Sequence, residues 1–352
     1  MTDKKSKVLL FLFGGVGGAE RMTVNIGKML PRDRYDVKFV VCGRFTEILK
    51  FIPKDYEVIR IPWHNIHVFP RLRMGYVIFK ERPDFVFSST MALNILLIQV
   101  SGLFKIKCIV RNDNMLSFAS PKLFRKMSKW YPHAHHIVAQ QEEMHDELIR
   151  MIPLKCDQVV TLHNVIDKET ICKKLENTEN PFPNDGTLKY VWVGRVNEKK
   201  GQDILVRALY FLRKIDSRAH VYFVGPYDEK SAYYKQLQSL INEYQLNGYV
   251  HFVGYDTNPY RWVKHCDCFV LPSRLEGLPN ALIEAQYIGR PCVSTECIPM
   301  IKRIIAEEIN GYTVPTEDAE AMAVAMYKAP LLGSVKMTYK PSSVDDYIRL
   351  FS

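Results

Sequence analysis

Short apolar runs recur along the chain, and most are followed by a stretch with helical spacing of its apolar positions. In the first half the runs are Val8 to Phe13, Val37 to Cys42, Val58 to Ile61, Phe85 to Ser88, Ile106 to Val110, His136 to Ala139 and Gln158 to Leu162. Short runs of this kind, interleaved with helices, mark strands buried on both faces of a sheet. Ala19 to Leu30 and Met91 to Leu103 carry the helical spacing. Strand and helix in alternation predict a parallel sheet with helices on both sides.

A polar stretch from Asp167 to Gly186 holds no such run, and then the alternation restarts. Strands are expected at Tyr190 to Val193, His220 to Val224, Val250 to Val253, Cys268 to Leu271 and Pro291 to Ser294. Helices are expected at Gln202 to Lys214, Ala232 to Tyr244, Pro259 to Lys264 and Pro279 to Ile288, with a final one at Tyr339 to Phe351. The predicted fold is α/β, two doubly wound Rossmann-like parallel-sheet domains over 1–167 and 168–336, followed by a terminal segment 337–352. In such sheets ligands bind beyond the carboxyl ends of the strands, so a cleft between the domains is the expected site.

Composition narrows the classes. The 352 residues are 47% hydrophobic and 24% charged, which disfavours disorder, collagen-like repeats and disulfide scaffolds. No window approaches the ~20 consecutive apolar residues that span a bilayer; Ala92 to Val100 and Val8 to Phe13 are the best and far shorter, predicting a soluble or peripheral protein. The lysines before Val8 resemble the start of a signal peptide, but Glu20 and Arg21 follow at once, and the run reads as a first strand. The eight cysteines include no C-x-x-C, so neither zinc nor thiol redox chemistry is expected. Of the net charge of +10, residues 1–167 hold +9, with 25 Lys and Arg against 16 Asp and Glu. A basic half suits nucleic acid, an anionic membrane or phosphorylated substrates; no nucleic-acid module is recognisable, so that partner is not expected.

Three loops carry candidate chemistry. The first, Gly14-Gly15-Val16-Gly17-Gly18, lies between a strand and a helix, either as a tight turn needing small residues or as a cradle of N–H groups for an anion. It fits neither the dinucleotide fingerprint nor the P-loop. In the second, Gly194 to Gly201, Arg195 and Lys200 offer a fork and a point charge to a diphosphate. The third is Pro272-Ser273-Arg274-Leu275-Glu276-Gly277-Leu278-Pro279-Asn280-Ala281-Leu282-Ile283-Glu284. Pro279 suits a first helical turn, N–H groups from Gly277 to Asn280 can hold phosphate oxygens, and Glu276 and Glu284 can accept from paired hydroxyls.

The run Ser273 to Thr295 resembles the E-x7-E segment of retaining glycosyltransferases of the GT-B fold, family 4. The resemblance extends to Gly17-Gly18-Ala19-Glu20-Arg21, to Asn164-Val165-Ile166-Asp167 and to Gly194-Arg195 with Lys199-Lys200-Gly201. It implies an N-terminal acceptor domain, a C-terminal nucleotide-sugar domain and a last helix that packs back on the first domain. Arg195 and Lys200 would neutralise the donor diphosphate, Glu276 would hold sugar hydroxyls and Glu284 the ribose diol. The base would lie near Gly225-Pro226-Tyr227 and Val253-Gly254-Tyr255. No metal or other cofactor is implied, and the chain contains no D-x-D.

The chain departs from the family pattern in three places, the smallest being Asn164-Val165-Ile166-Asp167, where members usually read N-G-V-D. Arg111-Asn112-Asp113-Asn114 stands where many members have a histidine that touches the transferred sugar, so Arg111 or Asp113 is the candidate there. Glu296-Cys297-Ile298-Pro299-Met300 replaces a glycine-rich turn. The helix Pro121 to Tyr131 interleaves Leu123, Phe124, Met127 and Trp130 with Lys122, Arg125, Lys126 and Lys129, which suits an anionic membrane surface or a core-facing stripe. The resulting expectation is a transferase that moves a sugar from a nucleotide donor, UDP-sugar ahead of GDP-sugar. The acceptor is a lipid-linked or oligosaccharide one, and the setting is the inner face of a bacterial membrane. A nucleotide-sugar epimerase and a non-catalytic partner of the same fold are the alternatives.

Overall fold

A computed structural model describes residues 5–62, 69–176 and 178–352. The chain forms two compact units, Met1–Val165 with Pro341–Ser352, and Ile166–Lys340. Each unit is a wholly parallel sheet with helices on both faces, the doubly wound architecture that the alternation predicts.

In the first unit the strands are β1 (Ser6–Phe13), β2 (Tyr35–Cys42), β3 (Glu57–Ile61), β4 (Phe85–Ser88), β5 (Lys107–Arg111), β6 (His136–Ala139) and β7 (Val159–Thr161). They lie in the order β3-β2-β1-β4-β5-β6-β7. The period of two explains why β1 is apolar at every position from Val8 to Phe13. Leu9 and Phe11 enter the core layer on one face, and Val8, Leu10 and Leu12 enter the layer on the other. Chain-terminal residues complete that second layer. Tyr347, Leu350 and Phe351 are buried there, the Phe351 ring meets Phe85 edge-on at 5.7 Å, and the Tyr35 hydroxyl donates to the Phe351 carbonyl at 3.2 Å.

The second unit holds β8 (Leu188–Val193), β9 (Ala219–Val224), β10 (Val250–Gly254), β11 (Cys268–Leu271), β12 (Cys292–Thr295) and β13 (Gly311–Val314), in the order β10-β9-β8-β11-β12-β13. Here too alternate residues divide between faces: Tyr190 and Trp192 enter one core layer and Val191 the other.

Three differences from the expected elements have local causes. The polar stretch after residue 167 contains a helix, Lys168–Leu175, because the Asp167 carboxylate caps the Thr170 amide at 3.1 Å; only Ile171 is buried in it, so the apolar signal is faint. Ile166 packs in the second unit's core and so does Tyr339, which moves the unit boundaries to 165/166 and 340/341. The terminal helix spans Val344–Ile348 with a 3-10 turn after it, rather than starting at Tyr339. Pro341 lacks an N–H, and the capping box between Ser343 and Asp346 sets the start.

Candidate functional site

The richest polar cluster of the second unit lies at the carboxyl ends of its central strands. The loop after β8 runs from Gly194 to Gly201 and opens the helix Gln202–Ile215. Gly201 has φ of +66°, and a Cβ there would lie 2.0 Å from the Pro272 carbonyl oxygen, so left-handed backbone and close approach both require glycine. This approach brings the loops after β8 and β11 together. The Arg274 and Leu275 amides donate to the Lys199 carbonyl at 2.8 and 3.2 Å. Farther along, the Gly194 amide donates to Val224 and the Gly225 amide to Gly254, at 3.0 and 2.8 Å. A Cβ on Gly225 would sit 1.7 Å from the Gly194 oxygen.

Within this frame Lys200 and Glu276 meet. The Lys200 ammonium lies 2.7 Å from both oxygens of a carboxylate that is only 7% exposed, and the Ser273 hydroxyl donates to the same carboxylate at 2.6 Å. Ser273 is in turn held by the Thr295 hydroxyl, which donates to its carbonyl. Cys297 stands beside the pair: burial pushes its thiol up to about 12, and the Glu276 charge adds to the effect. Arg195 is exposed at the start of the same loop.

Sequence reasoning missed the clamp behind this pair. Arg274 forms a fork with Asp203, 2.7 Å for each of two bonds, and also pairs with Glu317 and donates to the Glu198 carbonyl. Burial alone would raise the Asp203 carboxyl, but hydrogen bonds from Arg274 and Tyr233 and the Arg274 and Arg207 charges outweigh it and hold it below its ordinary value. Arg274 in turn is held well above the usual guanidinium range, chiefly by the same bond to Asp203 and by Glu317. The signal was legible only in space, since Asp203 lies on a different loop–helix junction.

Pro279 precedes the helix Asn280–Tyr287, whose first turn has no side-chain cap. Within that turn the Asn280 amide donates to the Leu278 carbonyl at 3.0 Å, and the Leu282 and Ile283 amides donate to the Pro279 carbonyl at 3.0 and 3.2 Å. Glu284 is half-buried in the second turn, and the Tyr260 hydroxyl points to it at 3.4 Å. Tyr255 is 58% exposed beyond Gly254, whereas the Tyr227 ring is stacked on Tyr234 at 5.1 Å. Glu296 leaves the region by pairing with Lys302 at 2.9 Å and accepting from Thr313 at 3.0 Å.

The first unit brings its candidates to the strand ends as well. Gly17 and Gly18 open the helix Gly18–Met29, and Glu20 in its first turn accepts from the Thr90 hydroxyl at 3.4 Å. Arg111 is 2% exposed and donates to the Asn164 side chain, so the two positions flagged at 111 and 164 are one contact. The Asp113 carboxyl is raised by burial against the lowering effect of Arg111, and Glu20 is raised by burial and by the Asp113 charge. Asn112 fixes this loop through Tyr131, which donates to it at 3.1 Å, and Gln140, which donates to its carbonyl at 2.7 Å.

The helix Pro121–Trp130 turns its apolar stripe inward. Met127 is fully buried, and Leu123, Phe124 and Trp130 pack against the core, leaving Lys122, Arg125, Lys126 and Lys129 exposed. Of its two sequence readings, the core-facing stripe describes the apolar side chains, and only the cations form an outer face.

The family model of Glycosyltransferase Family 4 matches residues 16–170, and that of Glycosyl transferases group 1 matches residues 187–329. An uncharacterized glycosyltransferase of Methanocaldococcus jannaschii is 27% identical over 251 residues, 66% of this chain and 61% of that protein, so the match spans less than two thirds of that relative. The Campylobacter jejuni N-acetylgalactosamine-N,N'-diacetylbacillosaminyl-diphospho-undecaprenol 4-alpha-N-acetylgalactosaminyltransferase is 23% identical over 339 residues, 90% of this chain and 88% of that one. The Anabaena protein HepE, solved with UDP and glucose, superposes with a TM-score of 0.76 at 18% identity over 93% of this chain and 92% of its own, a likeness of fold. Two matched glycosyltransferase models in succession along the chain, on two Rossmann-like sheets, make it a member of the GT-B glycosyltransferases.

Proposed function

We propose that the protein is a retaining glycosyltransferase that transfers a sugar from a nucleotide-sugar donor, UDP-linked ahead of GDP-linked, to a lipid-linked saccharide acceptor in bacterial surface-glycan synthesis. The observation that carries the reading is the Lys200–Glu276–Ser273 cluster beside the uncapped start of the helix that bears Glu284. Arg195 and Lys200 bind the donor diphosphate, helped by the amides of Gly277 and Leu278 ahead of Pro279, with the Asn280 side chain beside them. Lys200 has three N–H donors and can bridge Glu276 and a phosphate oxygen at once. Glu276 accepts from sugar hydroxyls, Glu284 from the ribose diol, and the loops at Gly225 and at Gly254 with Tyr255 flank the base.

In the reaction the bond from the anomeric carbon to the phosphate oxygen breaks, and its electron pair stays on the diphosphate, where Arg195 and Lys200 stabilise the developing charge. The acceptor hydroxyl attacks from the same face, and its proton passes to the leaving phosphate oxygen. Cationic side chains thereby take the part that a divalent metal plays elsewhere, which makes the reading metal-independent. The first unit, with Gly17, Gly18, Arg111 and Asp113, holds the acceptor. The cations of the 121–130 helix face an anionic membrane at the cytoplasmic side.

Support for a UDP donor comes from HepE, solved with UDP-glucose as well as UDP, and support for a lipid-linked acceptor from the diphospho-undecaprenol in the name of the Campylobacter relative. The test is release of nucleoside diphosphate from UDP-, GDP- and ADP-sugars, with and without membrane lipid extract, for the native chain and Glu284→Ala. Release from one donor, stimulated by lipid and at least about tenfold slower in the variant at donor concentrations below the native KM, is expected. Nucleotide binding that needs Arg195, without release from any donor, would identify a non-catalytic partner instead.

A further inference from the structure

The helix Met91–Leu103 carries no charged side chain, and a helix apolar on every side belongs wholly inside a core. Three of its sides are buried. The fourth is open: Ala92, Leu96, Gln99 and Leu103, spaced as one helical stripe, line two cavities of the first unit. One measures about 800 Å³ and the other about 770 Å³, both within the roughly 300–1,000 Å³ common for small-molecule sites. They adjoin, since Arg71, Gln99 and Trp130 line both, and the Arg71 guanidinium donates to the Gln99 side chain at 2.8 Å where they meet.

The ends differ in character. The first cavity begins at Gly14 and Gly15, the loop after β1, and draws Arg44, Arg71 and Lys126 into its wall. The second is walled by Leu72, Tyr76, Phe79, Leu103 and Phe104. Leu72, Tyr76, Phe79 and Leu103 are 64, 65, 61 and 80% exposed, a cluster that solvent alone disfavours. Among the described residues, no acidic side chain lines either cavity. At a rise of 1.5 Å per residue, the stripe from Ala92 to Leu103 extends about 17 Å.

We propose that the two cavities are one groove for a lipid diphosphate. The diphosphate lies against Arg44, Arg71 and Lys126 near the glycine loop, and the aliphatic chain follows the stripe past Trp130 toward Leu103. Three cations, with no carboxylate among the described lining residues, complement a doubly or triply charged head. The apolar walls take a chain that water expels. The proposal deepens the acceptor part of the function above and rests on that reading only for what the lipid carries.

The test is calorimetric titration of the full chain with geranylgeranyl diphosphate below its micellar concentration, with inorganic diphosphate and with geranylgeraniol. Geranylgeranyl diphosphate is expected to bind at least tenfold more tightly than either fragment. The double variant Phe79→Ser with Leu103→Asp, both at exposed positions, brings it to the affinity of inorganic diphosphate. Arg44→Ala weakens both diphosphates and leaves the alcohol unchanged. Equal affinity for the prenyl and inorganic diphosphates in the native chain, or a double variant that keeps the tighter binding, would overturn the proposal. So would binding to phosphatidylglycerol vesicles that the double variant abolishes with no preference for the prenyl diphosphate, which would make the face a bilayer contact. Nucleoside diphosphate release, measured on the same samples with a soluble saccharide acceptor, separates the two readings. Release without prenyl binding removes only the groove, and prenyl binding without release removes only the transfer.

Discussion

The two units share an architecture and place opposite chemistry at their strand ends. In the second, the space beyond β8 and β11 is filled with paired charges: Lys200 on Glu276, and Arg274 on Asp203 and Glu317. In the first, two carboxyls, Glu20 and Asp113, are raised by burial without a comparable fork, and a largely apolar cavity opens at the Gly14–Gly15 turn. On the proposals above, one sheet serves a small, highly charged ligand and the other a ligand that is mostly hydrocarbon. A common fold therefore says little about what a strand end binds; the side chains on the following turns decide it.

The contrast can be broken first at Lys200. Lys200→Ala is expected to lower the rate of nucleoside diphosphate release about 10²–10³-fold, as removal of one transition-state donor does; a loss under fivefold in initial rates would leave the pair a structural one. Next comes Asp203→Ala, which strips Arg274 of its fork and should cost about 2 kcal/mol of stability, read as a lower denaturant midpoint at unchanged slope. Glu284→Ala, which removes an acceptor for the ribose diol, should raise the KM for the donor about tenfold to a hundredfold. No change in KM would move the ribose elsewhere.

The smallest effect has the opposite sign in the two units. The Asp203 carboxyl is depressed on folding, so its contribution is complete above the unfolded carboxyl range and is lost as pH falls through the folded value. Asp113 is raised, so its charged form opposes folding above the folded value, and stability grows as pH falls toward the unfolded one. Asp113→Asn should accordingly stabilise the chain at pH 7 by about 1 kcal/mol, while Asp203→Asn destabilises it. Thermal melts of both variants at pH 7 check the pair of signs.

Much of this was legible in the chain. Short apolar runs bounded by loops and alternating with helices marked strands covered on both faces, and β4, β6 and β11 fall on the residues their runs mark. Glu276, Lys200 and Glu284 stood out because their loops join a strand to a helix. What stayed hidden depends on distance in space. Arg274 and Asp203 are 71 residues apart and meet only because Gly201 lets two turns touch. The 121–130 helix left its orientation open, because interleaved cations and apolar residues look alike whether the stripe faces a core or a membrane. The open side of the 91–103 helix was invisible for the opposite reason, since a segment without charges, whose polar Asn94 and Ser101 are buried, carries no clear mark of which face is uncovered.

The burial of Phe351 between Tyr35, Phe85 and Phe87 bears on the order in which the protein can be made. A ribosome completes residues 166–340, the whole of the second unit, before it supplies the tail that closes the first unit's core. The second unit has all its strands in one continuous stretch and can mature while synthesis continues. The first must wait with one core layer unfinished, exposing the apolar side chains of β1, β2 and β4 to chaperones until translation delivers Tyr347, Leu350 and Phe351.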